Sequence, residues 1–172
     1  MLANADDEGN RKFIMIQLPE ETPVDSDERK AGFCNICELG KERLRIAGRE
    51  IKEERGFTAQ NIDIGFRVLK CDTSNMKDVY YSPSDFDRNL LDMMADNIKE
   101  DRTPEDLLFQ VMLDLGVTLS SKIEETTIAG KKVFDVADGF LIACFDKDVN
   151  EETIKAIAQK QPYYFVMRDS SL

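Results

Sequence analysis

The sequence predicts an α/β protein, in which a β-α-β unit precedes an α+β module built from an antiparallel meander and helices. Phe13–Leu18 is an apolar run broken only by Gln17, which is typical of a strand buried on both faces. Apolar residues then recur with helical spacing over Asn35–Arg55, and Ile62–Cys71 alternates as a second strand does. Strand, helix and strand in this order predict two parallel strands joined by a right-handed crossover.

The first predicted strand has no evident neighbour. Its wider bounds are Arg11–Glu20, and the ten residues before it read MLANADDEGN, an acidic and polar stretch. We therefore expect either that later residues complete the sheet or that the chain is one piece of a larger fold. Because an unpaired strand invites pairing with another chain, we also expect a homo-oligomer.

A polar, tyrosine-containing stretch separates the two parts. We place the boundary in Asp78–Asp87, which gives a first domain of residues 1–78 and a second of 79–172. A short helix is expected over Asn89–Ile98. Pro104–Leu115 is predicted as a helix, because Thr103 offers an N-cap hydroxyl, a proline follows, and two acidic residues occupy the first turn.

The remaining residues alternate with a period of two. Ile123–Ile128, Lys131–Val136 and Phe140–Phe145 are predicted strands separated by short glycine-containing turns. Asn150 would cap a helix that ends near Gln159, and the last strand would be Tyr163–Met167.

The composition excludes several classes of function. The net charge is -11 and the sequence contains no histidine. A free-standing nucleic-acid binder needs clustered basic residues, and Ser-His-Asp or Cys-His catalysis needs an imidazole. No apolar run approaches the length of a membrane span, so we expect a cytoplasmic protein without membrane contacts.

The four cysteines do not form the pattern of a structural zinc site. Cys34 and Cys37 have CxxC spacing, whereas Cys71 and Cys144 stand singly. Two close pairs are the usual zinc signature. We therefore expect reduced, metal-free thiols.

Several segments together resemble a known family. The first three are GNRKFIMIQLPEE, NICELGKERLRIAG and GFRVLKCDTSN, and the later ones are KEDRTPEDLLFQVMLDLGV, KKVFDVADGFLIACFDKD and PYYFVMRDSS. In this order they resemble the C-terminal part of the modification subunit of type III restriction-modification systems. Those subunits are adenine-specific DNA methyltransferases that use S-adenosylmethionine. The resemblance runs from about Gly9 to Ser171.

The resemblance implies part of a Rossmann-like methyltransferase sheet. Arg11–Glu20 would be its second strand, Asn61–Asp72 its third, and the helix over Asn35–Arg55 would connect them. The missing neighbour of the first strand would then be the strand that carries the cofactor-binding glycines. The sequence departs from the family because it contains no DPPY or NPPY, no FxGxG and no target-recognition region, so no catalytic residue is carried over.

Four residues become candidates for binding the cofactor through this resemblance. Glu20 follows the second strand, where an acidic residue accepts hydrogen bonds from ribose hydroxyls, and Gln17 is its neighbour. Asp72 and Asn75 follow the third strand and could face the adenine ring. The alternatives are a solvated acidic loop around Glu20 and a turn held by its own side chains around Asp72.

The implied activity is methyl transfer from S-adenosylmethionine to the exocyclic amine of adenine in DNA, with the base flipped into a pocket. We expect the isolated chain to be inactive and to bind no cofactor by itself. Its partners would be the missing N-terminal methyltransferase half or another modification subunit, with the restriction subunit as a further candidate and DNA only in the full enzyme. The alternative is a non-catalytic protein-interaction module that mediates subunit assembly.

Two further features of the sequence could form binding surfaces. Arg43, Arg45 and Arg49 form a basic patch on the first long helix, which we expect nearby glutamates to balance. The pairs Tyr80-Tyr81 and Tyr163-Tyr164 could stack on bases, but we expect them to pack in the core and at its boundary.

Overall fold

The computed structural model describes residues 1–56, 62–78 and 97–168. It divides into two compact units, Met1–Lys70 and Cys71–Leu172. The first contains the helices α1 (Leu2–Asp7), α2 (Asp27–Lys30) and α3 (Ile36–Arg55). The second contains α4 (Pro104–Asp114), β1 (Ile123–Ile128), β2 (Lys131–Val136), β3 (Leu141–Cys144), α5 (Glu151–Gln159) and β4 (Tyr164–Met167).

Helix α3 is the main element of the first unit. The side chain of Asn35 caps it by accepting a hydrogen bond from the Glu38 N–H at 3.0 Å. It ends at Gly56, whose φ of 54° is favourable for a residue without a Cβ. Gly48 is buried on its inner face, and a Cβ there would lie 3.0 Å from Cβ of Ile64. The helix therefore packs closely against the segment that follows it.

The structure corrects the prediction of two strands in this unit. Neither Phe13–Leu18 nor Ile62–Cys71 belongs to a strand, and the described part of the unit contains no sheet. In the described part of this unit, strand-type backbone pairing is limited to an isolated β-bridge between Glu21 and Asn35. A strand requires a partner for its N–H and C=O groups, and no described residues form a ladder with either segment. The predicted β-α-β unit is therefore not formed in this structure.

The second unit is built on a four-stranded sheet in the order β1-β2-β3-β4. The first three strands pair antiparallel, with Phe134 opposite Ala143 between β2 and β3. Strand β4 pairs parallel to β3, with Leu141 opposite Tyr164. The sheet is therefore mixed, and with its helices it agrees with the predicted mixture of helices and strands.

The core of the second unit lies on both faces of the sheet. On one face, Leu108 and Met112 of α4 pack in a cluster with Phe134. On the other, Ile157 of α5 packs with Val133 and other residues. Because successive strand residues face opposite sides, strand β3 is buried at every position. This explains its unbroken apolar sequence LIAC.

Side-chain hydrogen bonds cap both helices of this unit, and an ion pair joins α4 to the sheet. Thr103 and Asp106 form a reciprocal capping box at the start of α4. The Lys132 ammonium of β2 lies 2.6 Å from Oε1 of Glu105 on the same helix. Asn150 caps α5 by accepting from the N–H of Thr153, whose hydroxyl also donates to it at 2.7 Å.

Two predictions fall largely outside the described residues. The helix expected over Asn89–Ile98 is described only at Asn97 and Ile98, and Ile98 forms an isolated bridge with Met76. The domain boundary expected in Asp78–Asp87 is described only at its first residue. None of the helices in the described ranges is both long and apolar enough to cross a bilayer.

Candidate functional site

Gln17 and Glu20 lie where the apolar run, Phe13–Leu18, meets the N-terminus of α3. The Glu20 N–H donates to the Leu18 carbonyl at 2.9 Å, which closes a tight turn around Pro19. The carbonyl of Glu20 accepts from the N–H of Ile36, the first residue of α3, at 3.0 Å. These two bonds anchor the backbone of Glu20 and leave its carboxylate exposed. An exposed carboxylate beside a helix N-terminus can accept hydrogen bonds from the hydroxyls of a ligand.

Gln17 is directed at the backbone rather than at a ligand. Its amide Nε2 donates to the carbonyl of Leu18 at 3.2 Å. The Cys37 thiol lies 3.5 Å from the same oxygen and 3.6 Å from the carbonyl of Gln17. The structure therefore brings Gln17 and Glu20 to one turn, in which Gln17 supports the backbone.

Asp72 belongs to the second unit and is engaged by its neighbours. Its Oδ1 accepts from the N–H of Thr73 at 2.7 Å, and its Oδ2 lies 3.1 Å from the guanidinium of Arg102. The Thr73 N–H and then the Arg102 charge hold the pKa of Asp72 below its usual value. Asp72 is therefore ionised at neutral pH and takes part in a local turn and an ion pair.

Asn75 ties the start of the second unit to helix α4. Its amide Nδ2 donates to Oε1 of Gln110 at 2.7 Å and to the carbonyl of Asp106 at 3.0 Å. Both contacts connect residues more than thirty positions apart in the chain, which sequence spacing could not reveal. Gln17 and Glu20 on one side and Asp72 and Asn75 on the other thus occupy two different compact units.

The apolar run itself is the most unusual surface of the first unit. Ile14 is 87% exposed and Ile16 is 93% exposed, and Phe13, Met15 and Leu18 are also exposed. Every residue from Arg11 to Glu20 is exposed. Contiguous apolar surface of this kind marks an interaction site or an aggregation hazard.

The predicted basic patch borders a shallow cavity of about 410 Å³. Arg45 and Arg49 line it together with Phe66, and the Arg45 guanidinium lies 5.8 Å from the centroid of that ring. Both arginines also pair with Glu42, at 3.3 Å and 3.4 Å. The expectation that glutamates balance this face is confirmed for these two arginines.

Three aromatic side chains form a second exposed feature, of which the sequence pointed only to the pair Tyr163-Tyr164 and not to Phe140. Phe140 and Tyr163 stack with their ring centroids 5.4 Å apart, and Tyr164 meets both rings edge-on. Tyr163 is 74% exposed, so the expectation that it packs in the core or at its boundary is wrong. The available signal was the sequence Asp138-Gly139-Phe140, which places an aromatic ring directly after a tight turn.

The cysteines lie in contrasting environments. Cys34 and Cys71 are exposed, whereas Cys144 is buried, and burial raises the pKa of its thiol. Among the residues that the structure describes, no three His, Cys, Asp or Glu side chains cluster in a way that could hold a metal ion.

Comparisons with known proteins do not add a family to these observations. No family model matches the chain, and no curated protein or solved structure matches it either.

Proposed function

We propose that this chain is the C-terminal portion of an adenine-specific DNA methyltransferase of the type III restriction-modification class. In the assembled enzyme, a methyl group would pass from S-adenosylmethionine to the exocyclic amine of adenine. The chain would supply the floor of the cofactor site and a C-terminal module. The parts that carry DPPY and FxGxG would come from another polypeptide segment.

One observation carries the proposal. The apolar run has the composition of a strand buried on both faces, yet its side chains are exposed and no described residues pair with it. If the neighbouring strand of the sheet is missing, the run is left with exposed side chains and an unpaired backbone. Completion by a neighbouring strand would pair its backbone and cover its side chains, as a parallel α/β sheet requires.

The position of Glu20 gives further support. Ligands of open α/β sheets bind outside the carboxyl ends of the strands, and Glu20 follows the apolar run at that end. Its carboxylate is exposed while its backbone is anchored to α3. We propose that the Glu20 carboxylate accepts hydrogen bonds from the ribose hydroxyls of the cofactor. The acidic chain would leave the contacts with DNA phosphates to the remaining part of the enzyme.

The first test uses the purified chain by itself. Without the acidic-PPY and glycine motifs, it should transfer no labelled methyl group to adenine-containing duplex DNA. Calorimetry should detect no binding of S-adenosylmethionine at micromolar concentrations, because each tenfold loss of affinity requires only about 1.4 kcal/mol of lost contacts. Methyl transfer above background, or a low-micromolar dissociation constant, would contradict the proposal.

The second test adds the missing half. A separately produced segment of a type III modification subunit, carrying DPPY and FxGxG, should bind the chain and create a site for S-adenosylmethionine. Glu20→Gln should then weaken cofactor binding about tenfold or more, since hydrogen bonds to a charged group contribute about 1.5–3 kcal/mol. Glu54→Gln, at an exposed position on α3, is the matched control. A mixture that neither associates nor binds the cofactor would refute the proposal.

The aromatic cluster favours a second candidate, a non-catalytic module that docks another subunit. Phe140, Tyr163 and Tyr164 present a partly exposed surface on the second unit, and aromatic residues are enriched in protein interfaces. Under this alternative, Tyr163→Ser should abolish binding to the restriction or modification subunit. Leu113→Ser, at another exposed apolar position, should leave it unchanged.

A further inference from the structure

The cavity of about 410 Å³ beside α3 combines cationic and apolar walls. Arg45 and Arg49 contribute two guanidinium groups, and Ile64, Phe66 and Val68 contribute apolar side chains. All of these residues belong to the first unit. The volume lies within the roughly 300–1,000 Å³ that is typical of small-molecule sites. The cavity therefore offers space for a small ligand that has both an anionic group and an apolar body.

The two guanidinium groups converge on one anion in this structure. Arg45 and Arg49 are four residues apart, so their side chains leave α3 on the same face. Nη1 of Arg45 lies 3.3 Å from Oε2 of Glu42, and Nη2 of Arg49 lies 3.4 Å from Oε1 of the same carboxylate. Both guanidinium groups can therefore contact a single small anionic group at the same time.

The Glu42 carboxylate does not saturate this pair of arginines. One carboxylate cancels only one of the two positive charges, and its contacts are longer than the roughly 2.7–2.9 Å of a strong charge-assisted hydrogen bond. Each guanidinium has several N–H donors, and Glu42 is the only hydrogen-bond acceptor of Arg45 and Arg49 among the described residues. Both arginine side chains are also at least half exposed. The pair therefore retains positive charge and hydrogen-bond donors for a ligand.

Packing against α3 places the apolar wall beside these donors. The guanidinium carbon of Arg45 lies 5.8 Å from the centroid of the Phe66 ring, which is within the range of a cation–π interaction. A Cβ at Gly48 of α3 would lie only 3.0 Å from Cβ of Ile64, so the segment that carries Phe66 packs closely on the helix. These contacts fix the cationic and apolar walls of the cavity relative to each other.

We propose that this cavity binds a soluble organic phosphate monoester. Its phosphate would lie between Arg45 and Arg49, and its apolar or aromatic body would contact Ile64 and Val68. A phosphate monoester carries a charge of about −1.5 to −2 at pH 7, which matches two guanidinium groups better than the single charge of a carboxylate or a phosphate diester does. The planar fork of arginine also suits bidentate hydrogen bonding to phosphate. This inference does not depend on the proposed function.

Ligand titrations followed by ¹H–¹⁵N NMR of the full chain test the chemical class. Phenyl phosphate should shift the side-chain N–H signals of Arg45 and Arg49 and the backbone amide of Phe66. A dissociation constant on the order of 1 mM is expected, because the cavity is shallow and its charges are exposed to water. Inorganic phosphate lacks the apolar body and benzoate lacks the second charge, so each should bind about tenfold more weakly.

Variants of α3 test the two arginines. Arg45→Gln and Arg49→Gln should each weaken phenyl phosphate binding about tenfold. Glu42→Gln should strengthen it about threefold, because it removes the carboxylate that competes for both guanidinium groups; a purely structural ion pair predicts no gain. Arg43→Gln makes the same charge change as the arginine variants at an exposed position on the opposite side of α3, and it should leave binding unchanged.

Far-UV circular dichroism of each variant verifies that α3 remains folded. The absence of shifts at about 10 mM phenyl phosphate would refute the proposal, as would arginine variants that bind as well as the original chain. Equal binding of inorganic phosphate would show that the apolar wall takes no part. Tighter binding to a single-stranded oligonucleotide, whose phosphates are diesters, or to vesicles that contain phosphatidic acid would assign the cavity to a macromolecule or a membrane and would also overturn the proposal.

Discussion

Replacing one isoleucine in the apolar run tests where this segment lies in the folded chain. Ile16 is 93% exposed, so only about 7% of its side chain is covered. Full burial of an isoleucine side chain contributes about 1.5–3 kcal/mol, and the covered fraction accounts for roughly 0.2 kcal/mol or less by the same scale. Ile16→Ala should therefore change the free energy of unfolding by no more than a few tenths of a kcal/mol. A strand buried on both faces would instead lose about 2–5 kcal/mol.

The matched variant is Ile51→Ala in the same unit. Ile51 is 5% exposed on the inner face of α3, and its truncation should cost about 2–5 kcal/mol, because it removes buried methyl groups and leaves a cavity. Urea unfolding followed by circular dichroism measures both changes. A loss above about 2 kcal/mol for Ile16→Ala would refute the exposed position of the run.

Two further predictions concern the second unit and the thiols. Asp106→Ala should destabilise the protein by about 1 kcal/mol, because it removes one half of the capping box at the start of α4. Hydrogen bonds from the Thr103 N–H and then from its hydroxyl lower the pKa of Asp106 below its ordinary value of 3.8. The capping box therefore stabilises the folded state fully above about pH 3.8. This stabilisation is lost as the pH falls through the lowered pKa that Asp106 has in the folded state. Urea titrations at pH 7 and pH 3 should show the difference between the two proteins shrink at the lower pH, and a difference that persists would contradict the assignment. Iodoacetamide should modify Cys34 and Cys71 rapidly in the folded protein and should leave Cys144 unmodified until the protein unfolds, because Cys144 is buried and burial raises the pKa of its thiol. Peptide mass mapping measures the modification of each cysteine. Early modification of Cys144 would contradict its burial.

Local chemistry was sufficient to predict the helices that carry clear end signals. Asn35 and Gly56 delimit α3, and the sequence Thr103-Pro104 begins α4, as expected. These signals act through hydrogen bonds and backbone preferences within a few residues. The positions of β1, β2 and β3 also followed from alternation and from the turns between them.

Pairing between distant segments was not encoded in such signals. The parallel contact between β3 and β4 joins Leu141 to Tyr164, across a helix and two loops. Asn75 reaches Gln110 on α4, which made it part of the internal packing rather than an evident ligand-binding side chain. Contacts of this range depend on the whole arrangement of the chain.

The sequence by itself determined which segments are apolar, where α3, α4 and α5 begin, and the chemistry that this chain lacks, above all histidine. Only the tertiary structure decided the state of Phe13–Leu18. Its apolar pattern is that of a buried strand, but a strand exists only where another segment pairs with its backbone and covers its side chains. No described residues do so here, and the run is left exposed.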